Sequence, residues 1–159
     1  MCFTIKESIL SDLGPALQLD RESFDKDAWT ILDYIGVFSD PGIRRFTARV
    51  DGRFAGFGAS EMDHEENAVC LLTLAVCPEY RKRGIGTALL KQMEEAFGRS
   101  DSYLYVDEAN TDAIRLYQKT GYHPTDTIRE YYMNGHDAVV MVKYAAADES
   151  GVQGDLPRN

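Results

Sequence analysis

The chain has 159 residues, 44% of them hydrophobic and 27% charged, which suits one globular domain with its own core and excludes an intrinsically disordered chain. Seventeen basic against 26 acidic residues leave a net charge of −9, which repels phosphate backbones and argues against nucleic-acid binding. The longest nearly apolar run, residues 68–77, is too short to span a bilayer. Lys6 and Glu7 fall where a signal peptide needs an apolar stretch, so secretion is not expected. Cys2, Cys70 and Cys77 lack metal-ligand spacing and read as reduced thiols of a cytoplasmic protein. His64, His123 and His136 show no metal spacing either and read as solvated turn residues, so no metal is expected.

Residues 2–6 read as a short strand. Ser11 and Asp12 suit the cap of a helix running toward Phe24, with Pro15 near its first turn. A second short helix is expected over residues 28–38, broken by Asp40-Pro41-Gly42. A hairpin follows. Phe46, Ala48 and Val50 alternate with Arg45, Thr47 and Arg49, and Ala55, Phe57 and Ala59 alternate after Asp51-Gly52, a pair suited to a turn with both φ angles positive. Residues 63–67 are a polar turn, and residues 68–76 have the near-continuous apolar pattern of a central strand buried on both faces. Residues 84–97 fit a helix, with Ile85, Leu89, Met93 and Phe97 on one stripe that Leu90 and Ala96 widen. Residues 102–107 read as a strand with Leu104 and Val106 on one face and Tyr103, Tyr105 and Asp107 on the other. Asn110 caps a helix over 111–120 that Gly121 ends. Two further strands are expected at 125–132 and 137–144, turning at Asn134-Gly135. This order is that of a mixed α/β sheet protein. Residues 1–144 form the domain, and the small, polar residues 145–159 read as a loosely held tail.

The segment that carries chemistry joins the buried strand to the next helix. Arg81, Lys82 and Arg83 are consecutive cations in an acidic chain, and Gly84 and Gly86 permit close approach of a ligand to the backbone. The first N–H groups of the helix have no intrahelical partner and point toward an anion that the helix dipole favours. The loop is therefore a candidate phosphate cradle. It is neither a dinucleotide fingerprint, because Leu89 stands where the third glycine belongs, nor a P-loop.

Arg81-Lys82-Arg83-Gly84-Ile85-Gly86 matches the Q/R-x-x-G-x-G/A pattern of the GNAT superfamily of acetyl-CoA-dependent N-acetyltransferases, and Leu74-Ala75-Val76-Cys77-Pro78-Glu79-Tyr80 resembles the strand and loop before it. Asn110, Ala113, Leu116-Tyr117, Lys119 and Gly121-Tyr122 resemble a second signature of that family. Arg129-Glu130-Tyr131-Tyr132 followed by Asp137-Ala138-Val139-Val140-Met141, and also Ala28-Trp29-Thr30, resemble the ribosomal-protein-alanine N-acetyltransferase branch. The resemblance covers roughly residues 1–144 and implies a single-domain, mostly antiparallel sheet of about seven strands with about four helices. It also implies acetyl-CoA as cosubstrate, direct acetyl transfer to a primary amine in a ternary complex, and a protein or peptide N-terminal α-amine as acceptor.

The same resemblance assigns roles. Leu74, Ala75 and Val76 splay from the neighbouring strand and bind the pantetheine arm. The loop from Arg81 through Lys82, Arg83, Gly84, Ile85, Gly86 and Thr87 holds the pyrophosphate. Asn110 contacts the cofactor, and Tyr117 protonates the departing thiolate. Phe24, Trp29 and Tyr131 are candidates for the acceptor groove, although Phe24 and Trp29 also suit packing of the first helix. One departure stands out. The glutamate proposed as general base in the ribosomal-protein branch is replaced by Tyr105, and another usual glutamate position is Leu72. Water aided by Asp107, Glu61 or Tyr105 is the expectation for the missing base. The alternatives are a small-molecule amine acetyltransferase and a non-catalytic acetyl-CoA-binding module. Dimers are frequent in the family, and nothing in the sequence marks an interface.

Overall fold

Alternating and continuous apolar runs assemble here into one seven-stranded sheet, in a computed structural model that describes residues 2–146. The chain runs β1 (Phe3–Glu7), α1 (Leu13–Phe24), α2 (Ile31–Ser39), β2 (Ile43–Val50), β3 (Arg53–Asp63), β4 (Ala68–Val76), α3 (Ile85–Glu95), β5 (Ser102–Asp107), α4 (Thr111–Lys119), β6 (His123–Ile128) and β7 (Ala138–Lys143). The strand order is β1-β2-β3-β4-β5-β7-β6. Every pairing is antiparallel except β4 with β5. This is the mixed α/β architecture that the sequence order implies.

Each face of the sheet has its own core. Leu89, Leu90 and Met93 of α3 pack with Val69, Leu104, Val106 and Met141 of the strands. Ala16 and Leu17 of α1 and Tyr34 and Val37 of α2 pack on Phe57 and Ala59. The Asp51-Gly52 turn adopts φ of 49° and 80°, as a two-residue hairpin turn needs.

Four elements differ from the sequence reading. The chain enters α1 through a 3-10 turn, so Asp12 accepts the Ile9 N–H at 3.0 Å and pairs with Arg49 instead of capping α1 with its side chain. The second helix starts at Ile31, not near Ala28, because Thr30 caps it: the Asp33 carboxylate accepts the Thr30 N–H at 2.7 Å and Thr30 Oγ1 accepts the Asp33 N–H at 3.3 Å. β4 is well buried only in its first half, because β5 pairs with it at Val69–Ser102 and Cys70–Tyr103 and then diverges. β6 ends at Ile128, not Tyr132. Glu130 takes a φ of 49°, its N–H donates to Asp137 Oδ1 at 2.9 Å, and a looser turn with Gly135 N–H on the Tyr132 carbonyl replaces the two-residue turn. The predicted tail lies outside the described residues except for Ala145 and Ala146. The Ala145 N–H donates to Asp101 Oδ1 at 2.8 Å.

β3 approaches β4 closely beside the divergence. A Cβ on Gly56 would lie 2.9 Å from the Ala75 carbonyl oxygen and 3.2 Å from Leu89 Cδ1. Gly56→Ala is expected to lower unfolding free energy by about 1–3 kcal/mol, read as a shifted urea midpoint at unchanged slope.

Candidate active site

Parallel pairing stops at Cys70, so the β4 edge that faces β5 is open from there onward. On its other edge Leu74, Ala75 and Val76 remain paired with Gly58, Phe57 and Gly56. Leu72 has no register partner between Leu71–Ser60 and Thr73–Ala59, which makes it a bulge. The result is a rigid strand with free main-chain donors and acceptors along one side of a cleft.

The basic loop continues from the end of that strand. Arg81 Nε donates to the Val76 carbonyl at 2.9 Å and folds the loop back on β4. Lys82 and Gly84 take φ of 58° and 84°, turning the main chain into α3. The Gly84 carbonyl accepts the Ala88 N–H at 3.0 Å, so the Ile85, Gly86 and Thr87 N–H groups precede the helical ladder. A Cβ on Gly86 would lie 3.2 Å from Leu116 Cδ2, so glycine here lets α4 close on α3. Asn110 Oδ1 accepts the Ala113 N–H at 3.2 Å and starts α4. About two turns on, Tyr117 is buried edge-on to Tyr122, with ring centroids 5.8 Å apart. Its hydroxyl has no hydrogen-bond partner among the described residues, and burial pushes its pKa up to about 12. It is a phenol that keeps its proton at neutral pH and has it free to donate.

The opposite side of the cleft is aromatic. Tyr105 is 41% exposed, and Tyr131 stacks on it with centroids 5.6 Å apart and planes 10° from parallel. The Met133 N–H donates to Asp27 Oδ1 at 2.7 Å, joining the β6–β7 loop to the α1–α2 connection. Trp29 lies edge-on to Tyr34 at 5.7 Å, and its main-chain N–H donates to Asp20 Oδ2 at 2.7 Å. Burial raises the Asp20 pKa against the hydrogen bonds that it accepts from Trp29, Tyr34 and Thr73. Phe24 is half-buried at the end of α1. Trp29 therefore packs on the α1–α2 core, and the ring contacts of Tyr131 are with Tyr105 and Tyr132, not with Trp29 or Phe24.

Asp107 shares the β5 face of Tyr105. It accepts Ala109 N–H at 2.9 Å, Asn134 Nδ2 at 2.8 Å and His136 Nδ1 at 2.9 Å. Burial pulls its pKa up, but these donors outweigh it and hold the carboxyl below its usual range. His136, read from sequence as a solvated turn residue, is brought into the site by this pair. Only the β5–β7 register could have shown it, because Asp107 stands opposite Ala138.

Cys77 Sγ faces the Phe54 carbonyl at 3.9 Å, and burial first, then Glu79 and Glu22, raise its thiol pKa. Such a thiol is a poor acyl carrier. The direct transfer that the family resemblance implies needs no protein nucleophile, so Cys77→Ala is expected to leave kcat/KM within about twofold, measured by thiol release. Among the described residues no cluster of three or more His, Cys, Asp or Glu could hold a metal ion. No helix among them is long and apolar enough to cross a membrane.

An antiparallel sheet opened by one short parallel pairing, with a glycine-bearing basic loop at the opening, is the arrangement that the sequence resemblance implies. Residues 7–122 match the family model described as Acetyltransferase (GNAT) family, and the chain belongs to that family. It is an N-acetyltransferase. It is 29% identical to an N-alpha-acetyltransferase of Sulfurisphaera tokodaii, over 87% of this chain and 91% of that protein. It is 31% identical to the ribosomal protein bS18-alanine N-acetyltransferase of Salmonella typhimurium, over 84% of this chain and 93% of that one. The crystal structure of Arabidopsis thaliana Naa50 in complex with the bisubstrate analogue CoA-Ac-MVNAL superposes with a TM-score of 0.76 at 25% identity, covering 90% of this chain and 99% of that one.

Proposed function

We propose that the protein moves acetyl from acetyl-CoA to a protein or peptide N-terminal α-amine by direct attack. The observation that carries this reading is the open β4 edge ending in the loop of Arg81, Lys82, Arg83, Gly84, Ile85, Gly86 and Thr87. The pantetheine arm is a chain of amides that pairs with the main chain of Leu74, Ala75 and Val76. The diphosphate sits on the N–H groups that lead into α3. Asn110, as the cap of α4, borders the same cofactor. Holding both reactants along one rigid strand supplies proximity. A β4 N–H near Leu74 or Ala75 stabilises the tetrahedral oxyanion. Tyr117 delivers a proton to the departing thiolate.

The acceptor reading draws support from the span between Asp27 and Met133 and from the aromatic wall of Tyr105 and Tyr131, which frame a groove beside the open strand. It also draws support from the N-alpha-acetyltransferase relative and from the peptide in the Naa50 analogue. The test follows thiol release from acetyl-CoA with the peptides MVNAL and AVNAL, with spermidine, and without acceptor. Turnover with a peptide alone is expected. Turnover with spermidine alone overturns the peptide assignment, and a coenzyme-A thermal shift without turnover on any amine overturns catalysis.

A further inference from the structure

Asp107 and His136 are 29 residues apart, and the β5–β7 pairing brings them together at the mouth of the aromatic wall. His136 Nδ1 lies 2.9 Å from Asp107 Oδ1 and 3.0 Å from Oδ2. A carboxylate here only accepts, so Nδ1 carries the hydrogen and Nε2 keeps the lone pair. Nε2 has no hydrogen-bond partner among the described residues, and the side chain is 44% exposed, so water and substrate can reach it. The carboxylate is itself held by Asn134 and Ala109, which fixes the imidazole in turn.

The pair lies on the strand face that carries the aromatic wall. Asp107 and Tyr105 share one strand face, and Tyr105 carries Tyr131 stacked on it. Burial, and after it the fields of Tyr131, Asp107, Asp27 and Tyr117, push the phenol of Tyr132 well above its ordinary pKa. Asp107 and Tyr117 both act on that one half-buried hydroxyl. Asp107 is the charged group in contact with His136. In the surrounding segments Glu108 accepts the Asp137 N–H at 3.2 Å, Asp137 accepts the Glu130 N–H at 2.9 Å and Asp27 accepts the Met133 N–H at 2.7 Å, with Arg129 the cation of the β6–β7 loop. Carboxylates outnumber that one cation, which suits an acceptor that arrives as an ammonium.

We propose that His136, oriented by Asp107, accepts the proton of the incoming ammonium, directly or through one water, and so fills the place of the missing glutamate. This rests on the reading of the site as an amine acetyltransferase. The ammonium gives one proton to Nε2, and the imidazolium is stabilised by Asp107. The freed nitrogen lone pair forms the C–N bond at the thioester carbonyl, and the C–S bond breaks as the tetrahedral intermediate collapses. Tyr117 protonates the thiolate, and the second nitrogen proton restores Tyr117. His136 then releases its proton to solvent. Asp107 is a positioning residue in this scheme.

The test compares kcat/KM against pH for wild type, His136→Gln and Asp107→Asn, using the fastest acceptor of the panel above. Wild type is expected to rise on an acidic limb and then to level off, because an α-amine loses its proton near ~8 and needs no base once neutral. His136→Gln should lose about 10²-fold of the rate at neutral pH and show in place of the wild-type limb one set by deprotonation of the acceptor amine. Its rate should then climb with pH toward wild type, because only amine already deprotonated in solution can attack. Imidazole added to His136→Ala should restore part of the rate. Asp107→Asn leaves the imidazole in place and moves the acidic limb to lower pH, so it serves as the test should His136→Gln unfold. A His136→Gln profile parallel to wild type, or an unmoved limb in Asp107→Asn, overturns the assignment while leaving acetyl transfer intact. Absence of turnover with every amine overturns both.

Discussion

Tyr117→Phe is expected to lower kcat on the order of 10²-fold while leaving the coenzyme-A thermal shift in place. The variant is a clean probe. The hydroxyl that it deletes has no hydrogen-bond partner among the described residues, so no buried group there is orphaned, and the ring keeps its contact with Tyr122. Burial holds the phenol at about 12, so it stays protonated across the working range and adds no basic limb to the rate profile. The thiolate must otherwise leave unprotonated or draw a proton from water. A kcat within twofold of wild type removes Tyr117 from the chemistry. A lost thermal shift places it in cofactor binding instead.

The elements of the proposed cofactor site were legible in the sequence because their signals are local. Gly84 and Gly86 behind three cations, the stripe of Ile85, Leu89 and Met93, and the cap at Asn110 each lie within one or two turns of chain, and all appear where the sequence puts them. The acceptor side was legible only in composition. Glu130 at positive φ ends β6 early, which no alternation pattern reveals, and it turns the expected strand of Tyr131 and Tyr132 into a loop. That loop reaches Asp27 across more than half the chain, and Asp107 reaches His136 through strand register alone. The departure at Tyr105 was plain from sequence. The group set to replace the missing carboxylate was not, because its partner is chosen by tertiary pairing.

Gly84→Glu is expected to abolish the coenzyme-A thermal shift and to raise Kd at least ~10²-fold, since a unit charge pair ~5 Å apart at an effective dielectric of ~20 repels by about 3 kcal/mol. The geometry makes the substitution selective. A Cβ at Gly84 meets nothing within 4 Å, so the side chain enters open space at the N-terminus of α3, where the diphosphate would lie, and not the core. The φ of 84° adds backbone strain of about 1–2 kcal/mol for any other residue. Gly84→Ala carries that strain without the charge. It should therefore lower the melting temperature as Gly84→Glu does, yet retain most of the ligand-induced shift. Raising the salt should recover binding in Gly84→Glu in part, because repulsion at an exposed loop is screened. Equal loss of affinity in both variants, read by calorimetry, would assign the glycine to loop shape alone and take the diphosphate away from these amides.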